Sequence, residues 1–281
     1  MADKFCVFIL SHNRADRVHT YRTLIKQGYT GAVYIVIDDE DPSGPKYHRR
    51  YGDKVLEFSK NDIAQKIDEG SNFGDRRVIL YARNACFDLA EQLGFKYFLQ
   101  LDDDYRAFRY VFNNNYEFVE IPIKDLDAIF KAMLTFYRKT PAVSLCMSQN
   151  GDFIGGAYGA NASAIKLRRK AMNSFFCSTD RRFQFMGAIN EDVNTYTNKG
   201  RQGELYLSLN QVGLTQAPTQ SNRGGMTEIY LDSGTYLKSF YSVMYSPSCV
   251  KVSVMGAKAK RLHHRVRWDN TAPMILREGN Q

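Results

Sequence analysis

The sequence has few cysteines and no long hydrophobic run. Its 281 residues include five cysteines, Cys6, Cys86, Cys146, Cys177 and Cys249, an odd number without any C-x-x-C spacing. This argues against a disulfide framework and a zinc cluster, and it favours a reducing compartment. No segment approaches the roughly 18 consecutive apolar residues that a membrane helix needs, and no small-residue cleavage site follows the short apolar stretch near the N-terminus. We therefore expect a soluble, cytoplasmic protein that does not enter a membrane.

Acidic residues are outnumbered, with 30 Asp and Glu against 38 Lys and Arg, which gives a formal net charge of +8. Basic residues collect at 47–51, at 166–170, at 181–182 and in the C-terminal stretch KAKRLHHRVRW. Such clusters attract phosphate backbones, and aromatic residues among them favour contact with unpaired bases. A solvated basic surface that maintains solubility explains the same charge. Composition alone therefore leaves nucleic-acid binding open.

The first third of the chain alternates between predicted strands and helices. Apolar runs predict strands at 5–10, 32–37, 55–58 and 97–101, whereas helical spacing of apolar residues predicts helices over 15–27, 61–69 and 77–93. This alternation is typical of an α/β fold with a mostly parallel, Rossmann-type sheet covered by helices on both faces.

The rest of the chain changes character after residue 105. We predict an antiparallel hairpin from 108–112 and 117–121, a helix over 124–138, a strand at 142–147, a helix within 229–245 and a final pair of strands at 250–254 and 262–268. The glycine-rich stretch 151–164 does not match a phosphate loop; close approach to a substrate and a simple bend both remain open. A mobile loop is plausible at 221–225. We expect one domain over 1–281, made of a first part (1–105) and a second part (106–281) that carries a smaller antiparallel sheet.

Polar residues follow three of the predicted parallel strands. These are the segment 11–14, the pair Asp38-Asp39, and the three consecutive aspartates 102–104. Ligands of such sheets bind beyond the carboxyl ends of the strands, so these residues should converge on one crevice. Asp102 and Asp104, separated by one residue, can hold a hard divalent cation, and such an ion can neutralise a diphosphate leaving group. Asp-x-Asp by itself is a weak signal, because aspartates also start turns.

The order of these motifs resembles the nucleotide-sugar-dependent glycosyltransferases of the GT-A fold. The motifs are S-H-N-R after the first strand, D-D after the second, A-R-N in the following helix, and then L-D-D-D-Y. The resemblance implies a UDP-sugar donor and Mn²⁺ or Mg²⁺ as cofactor. It also implies that 1–105 is the nucleotide-sugar-binding half and 106–281 the acceptor-binding half. It implies the following donor-site and metal-site residues: Ser11, Arg14 and Asp38 toward the nucleoside, Arg83 toward the diphosphate, Asp103 beside them, and Asp102 and Asp104 as metal ligands.

The resemblance also implies a catalytic base and a further metal ligand in the second half. Glu191 and Asp192 follow an apolar segment and precede a predicted helix, so they match the catalytic acidic pair, with Asp192 as the base. An acidic pair at this position is also a common helix N-cap. His264 matches the histidine that completes the metal site, although alternation in a strand sends His263 and His264 to opposite faces.

A narrower resemblance is to the TET-associated glycosyltransferases of bacteriophages, through L-D-D-D-Y, the N-E-D segment at 190–192 and the basic C-terminal end. It implies transfer of a sugar to the hydroxyl of 5-hydroxymethylcytosine or another hydroxymethylpyrimidine in phage DNA, in the host cytoplasm and preferentially with inversion. The base would be flipped out or the groove distorted. The residues expected to hold the DNA backbone are Arg168, Arg169, Lys170, Arg181, Arg182, Lys260, Arg261, Arg265 and Arg267.

Two alternatives stay open on the sequence. In a nucleotidyltransferase the same aspartates would hold a metal on a nucleoside triphosphate, but the G-x-G-x-x-[RK] loop expected near its start is missing. In a non-catalytic nucleic-acid-binding protein, the basic tail would matter and the aspartates would be turn residues.

Overall fold

The computed structural model describes residues 4–70, 76, 78–115, 117–149, 165–216, 235–255 and 260–274. The strands are β1 (Phe5–Leu10), β2 (Ala32–Asp38), β3 (Val55–Phe58), β4 (Tyr97–Asp102), β5 (Tyr105–Phe112), β6 (Phe118–Pro122), β7 (Ser144–Gln149), β8 (Ile165–Lys166), β9 (Ser174–Ser178), β10 (Tyr206–Gln216), β11 (Val250–Met255) and β12 (Arg261–Val266). The helices are α1 (His19–Lys26), α2 (Gly44–Tyr51), α3 (Lys60–Ala64), α4 (Leu80–Gln92), α5 (Leu126–Arg138), α6 (Glu191–Arg201), α7 (Thr235–Tyr245) and α8 (Trp268–Thr271).

A ten-stranded sheet forms the centre of the molecule, in the order β3-β2-β1-β4-β9-β7-β10-β5-β6, with β8 paired to β10. The strands β3, β2, β1 and β4 are parallel, as predicted. Strand β9 runs antiparallel between β4 and β7, so the second half of the chain continues the same sheet. Strands β11 and β12 form a separate antiparallel sheet. The predicted α/β architecture, with a parallel sheet and a smaller antiparallel sheet, is confirmed.

Helices cover both faces of the large sheet, which explains why its central strands are continuous apolar runs. Along β1, Phe8 faces a core shared with Phe87 of α4, whereas Ile9 faces a second core shared with Leu24 of α1 and Phe130 of α5. No helix in the described part of the chain has the length and apolar character that a membrane crossing requires. All five cysteines are buried free thiols.

Several predicted boundaries shift. Helix α1 begins at His19, because the preceding residues form a loop held by side chains of α2: Tyr47 accepts from the Arg14 amide and Tyr51 donates to the Ala15 carbonyl. Helix α2 itself was not predicted, and α3 ends at Ala64, short of the predicted 69. The hairpin of β5 and β6 is confirmed, but it joins the edge of the large sheet. The segments 151–164 and 221–225, and the first part of 229–245, lie outside the described residues.

Candidate active site

The loops that follow β1 and β4 are tied together by Asp103. One carboxylate oxygen accepts a hydrogen bond from the Ser11 hydroxyl at 2.6 Å, and the other accepts from Arg14 Nη1 at 3.1 Å. The Tyr47 hydroxyl lies 2.6 Å from the Ser11 hydroxyl. The predicted convergence of strand ends is therefore present, and Asp103 is the residue that joins them. In the sequence, Tyr47 was considered only as one of the aromatic residues in a basic cluster that favour contact with bases, but it is fully buried. Its place beside Ser11 was missed because helix α2 was not predicted.

A second polar group lies beyond β2. Asp38 accepts from Lys60 Nζ at 2.8 Å, and its other oxygen lies 2.7 Å from His12 Nδ1. Burial by itself would raise the pKa of Asp38, but the hydrogen bonds from His12 and Lys60 outweigh burial and lower it. The hydrogen bond to Asp38 raises the pKa of His12. Lys60, only 3% exposed, was missed because a lysine at a helix start usually lies in solvent.

Replacing Asp38 by Asn should lower the free energy of unfolding by roughly 2–3 kcal/mol, because it leaves the buried Lys60 ammonium without its main counter-ion. Glu40 remains near Lys60 at 3.4 Å and limits the loss. Urea unfolding at neutral pH measures the change. The matched control is Glu40→Gln, which removes the half-exposed partner and should cost less than about 1 kcal/mol. Equal losses in the two variants would contradict this assignment.

A buried arginine joins the two acidic pairs. Arg83 of α4 is 1% exposed; its Nε donates to Glu191 at 3.0 Å and its Nη2 donates to Asp102 at 3.0 Å. The guanidinium carbon lies 4.9 Å from the ring centre of Phe175 and 5.7 Å from that of Phe185. The Asp-x-Asp segment and the start of α6, distant in the sequence, therefore meet at one cation.

Burial and neighbouring negative charges disfavour ionisation of both carboxylates of the Asp-x-Asp motif. Burial is the main cause that raises the pKa of Asp102 to about 7; Arg83 opposes it, and the nearby Asp104 and Glu191 reinforce it. Burial, followed by Asp103, also raises the pKa of Asp104. One Asp104 oxygen accepts from Gln216 Nε2 at 3.2 Å, and the other is buried without a hydrogen-bond partner. An oxygen-binding cation would satisfy that atom and reduce the repulsion, so these two residues fit a hard divalent metal.

The second acidic pair lies at the first turn of α6. Asn190, which precedes it, has a left-handed backbone with φ of 55° and is anchored by donating to the Lys238 carbonyl at 2.7 Å. Asp192 accepts from the Val193 amide at 2.7 Å. Burial, reinforced by Glu191, raises the pKa of Asp192 to about 6. The carboxylate is therefore ionised at neutral pH but basic enough to take a proton.

Of the two adjacent histidines, His264 faces this segment. Its Nδ1 lies 3.5 Å from Asn190 Nδ2, and burial, followed by His263, lowers its pKa to about 4. Within the residues that the structure describes, no group of three or more His, Cys, Asp or Glu is arranged to hold a metal ion. The structure thus does not bring Asp102, Asp104 and His264 together as one ligand set, and metal binding by His264 stays a prediction.

The fold and this acidic site define a glycosyltransferase with a GT-A-like sheet, as the sequence resemblance implied. The family model of the TET-associated glycosyltransferases matches residues 5–225, and the chain belongs to this family. Membership of a glycosyltransferase family favours an enzyme of this class over the nucleotidyltransferase and the non-catalytic binding protein. No curated protein matches the sequence.

Distantly similar solved structures include S. aureus TarS 1-349, with 16% identity and a TM-score of 0.45 over 75% of this chain and 60% of TarS 1-349. The chain therefore spans less than two thirds of that protein. Glucosyl-3-phosphoglycerate synthase from Mycobacterium tuberculosis, in complex with Mg²⁺ and UDP, has 8% identity and a TM-score of 0.49 over 94% of this chain and 88% of the synthase. The same synthase with Mn²⁺, UDP and phosphoglyceric acid has 7% identity and a TM-score of 0.47, over 94% and 87% of the two chains.

Proposed function

We propose that this enzyme moves a sugar from a UDP-sugar to the hydroxyl of 5-hydroxymethylcytosine, or another hydroxymethylpyrimidine, in phage DNA. The observation that carries the proposal is the buried Arg83, which links the Asp-x-Asp carboxylate Asp102 to the acidic pair at the start of α6. One cation thus holds together the donor-binding pair and the acidic pair that contains the candidate base. Membership of the family and the basic composition support DNA as the acceptor.

In this proposal the donor lies over the ends of β1, β2 and β4. Ser11, Arg14, Asp38 and Asp103 belong to the loops beside it; Asp38 and Asp103 act mainly by fixing His12 and Arg14, because their oxygens are already hydrogen-bonded. Asp102 and Asp104 would hold Mn²⁺ or Mg²⁺, which when bound supplies positive charge to the diphosphate leaving group. Arg83 Nη1 is buried without a hydrogen-bond partner and is the atom with which Arg83 would reach the donor.

Asp192 is the proposed base. The acceptor hydroxyl oxygen forms a bond to the anomeric carbon, its proton passes to an Asp192 carboxylate oxygen, and the bond from the anomeric carbon to the UDP oxygen breaks with release of UDP. Burial raises the pKa of Asp192 to about 6, so the carboxylate is ionised at neutral pH but more basic than an ordinary one, and it can accept the proton as the bond to the anomeric carbon forms. Glu191 is engaged by Arg83 and is better placed to hold that arginine than to take the proton. A single displacement of this kind inverts the anomeric centre.

The direct test uses a DNA duplex containing 5-hydroxymethylcytosine, a panel of UDP-sugars and Mn²⁺, with the nucleosides analysed by mass spectrometry after digestion. We expect one glycosylated nucleoside with hydroxymethylated DNA and none with the same duplex containing cytosine. Failure of every hydroxymethylpyrimidine, with all UDP-sugars tried, would remove DNA as the acceptor.

Asp104→Asn should abolish the Mn²⁺-dependent stabilisation of the protein by UDP. A ligand at one hundred times its Kd adds about 2.7 kcal/mol to the free energy of unfolding, a shift of a few degrees for a chain of this size. Because burial raises the pKa of Asp104, its charge is not a source of stability, and the variant without ligand should melt as the wild type does. Differential scanning fluorimetry measures both values. Asp53→Asn, at an exposed site, is the control that should keep the full shift; an unchanged shift in Asp104→Asn would exclude Asp104 from the donor site.

A further inference from the structure

The small sheet of β11 and β12 has two chemically different faces. Residues directly opposite each other on antiparallel strands share a face, and here Lys251 pairs with Arg265 and Ser253 with His263. Arg261, two residues before His263, lies on the same face by strand alternation. We call this set, Lys251, Ser253, Arg261, His263 and Arg265, the basic face. It contains no acidic residue.

The other face is turned toward the protein. It carries Val250 paired with Val266, and Val252 paired with His264. Val250 is 1% exposed, Val266 packs on the main core, and His264 reaches Asn190. Three residues of the basic face, Lys251, Arg261 and Arg265, are exposed. His263 is half-buried, and its ring centre lies 4.3 Å from that of His264. The outward part of the basic face therefore consists of these three cations.

Other basic residues predicted to hold DNA are engaged within the protein. Arg181 donates to the carbonyls of Thr140 at 2.7 Å and Ala142 at 2.9 Å. Arg182 pairs with Glu91 at 2.9 Å and also with Asp88, and Arg168 pairs with Asp269 at 2.6 Å. In contrast, Lys251, Arg261 and Arg265 form no hydrogen bond or ion pair through their side chains with any residue in the described ranges. Their charges are available to an external anion.

Helix α7 connects the basic face to the segment that carries the proposed base. Ser239 of α7 donates a hydrogen bond to the Leu262 carbonyl of β12 at 3.0 Å. Asn190, two residues before Asp192, donates to the Lys238 carbonyl of α7 at 2.7 Å. DNA lying on the basic face would therefore be held by the same elements that support the start of α6.

We infer that the basic face is the surface on which the acceptor DNA lies, with its backbone phosphates against Lys251, Arg261 and Arg265. This inference rests on the proposed function and goes further by selecting these residues over Arg181 and Arg182. Phosphate contacts position DNA without reading its sequence, so the face holds the duplex and leaves recognition of the modified base to the site.

The test measures binding of a fluorescent hydroxymethylated duplex by anisotropy over a range of NaCl concentrations. The variant K251Q/R261Q/R265Q should bind about tenfold more weakly or worse. The slope of log affinity against log salt should shrink by about 0.9 for each phosphate that the variant no longer neutralises, or about 2.7 for three. The control K26Q/K131Q/K139Q removes the same charge from exposed positions on α1 and α5, across the large sheet, and should keep the wild-type slope. Arg265→Gln alone should lose about a third of the effect.

Transfer assays on the same proteins distinguish the inferred DNA surface from the proposed sugar transfer. With free 5-hydroxymethyldeoxycytidine as acceptor the triple variant should match the wild type, whereas with DNA its KM should rise and its kcat should change little. If the wild type glycosylates DNA and the triple variant binds with unchanged affinity and slope, the basic face is not the DNA surface and the proposed function stands. If the wild type binds DNA but transfers no sugar to it, and the triple variant binds DNA more weakly, the proposed function fails and the DNA-binding surface stands.

Discussion

Replacing Asp192 by Asn should lower the rate of sugar transfer by about 10² to 10⁴-fold and leave UDP binding intact. The amide keeps the shape of the side chain but cannot take the proton of the acceptor hydroxyl. In the proposed site, the donor is bound by residues beyond β1, β2 and β4, and the Asp192 carboxylate has its hydrogen bond in the described structure from the Val193 amide. Transfer to hydroxymethylated DNA and the thermal shift with UDP and Mn²⁺ measure the two properties separately.

The pH dependence of transfer provides a second measurement on the same residue. The base acts in its ionised form, so the wild-type rate should fall as the pH drops through about 6, the pKa to which burial and Glu191 raise Asp192. The residual activity of Asp192→Asn should lack this decline. Glu191→Gln is the matched control, because its side chain can still accept from Arg83. It should retain the decline but at lower pH, since the Glu191 charge no longer raises the pKa of Asp192. A larger loss of rate in Glu191→Gln than in Asp192→Asn would indicate that Glu191, and not Asp192, is the base.

The sequence could predict the features that depend on local pattern. Apolar runs located β1, β2, β3 and β4, and the polar residues at their ends were expected to meet because parallel strands present their carboxyl ends at one edge. Asp102 and Asp104 were found in this way, as was the turn of the β5-β6 hairpin, where the Asn113 side chain accepts from the amides of Asn115 and Glu117. These features depend on residues that are close together in the chain, so a single sequence is enough to predict them.

The contacts that complete the site were not predictable, because they join residues far apart in the chain. Gln216 reaches Asp104 across 112 positions, and Glu191 reaches Arg83 across 108. Arg83 was expected toward the diphosphate or in a pair with an exposed acid. Instead, two of its three nitrogens donate to buried carboxylates, and burial of a charged side chain requires such partners. Lys60 is likewise a buried charged side chain, and its carboxylate partner is Asp38. Helix α4 is buried on most of its sides, so helical periodicity does not single out the position of Arg83, and the acids that pair with it come from other elements.

Arg83→Met should lower the free energy of unfolding by about 3–5 kcal/mol at neutral pH, since it leaves two carboxylates, Asp102 and Glu191, buried without their counter-ion. Methionine can occupy the space between Phe175 and Phe185, so the loss of packing is minor and the charge dominates. The control is Arg182→Met, which also removes an arginine that pairs with two acids, but at a 41% exposed side chain; it should cost less than about 1 kcal/mol.

The sign of the pH effect distinguishes a charge pair from a packing role. Burial already raises the pKa of Asp102 in the folded protein, and loss of the opposing Arg83 charge should raise it further, so ionisation of Asp102 opposes folding more strongly in the variant. Protonation of Asp102 removes this penalty, and the stability difference from wild type should therefore shrink as the pH is lowered from about 8 to about 5. Urea unfolding at several pH values measures it. A deficit that stays constant across this range would assign Arg83 to packing, and the link between the donor-binding pair and the candidate base would then need another explanation.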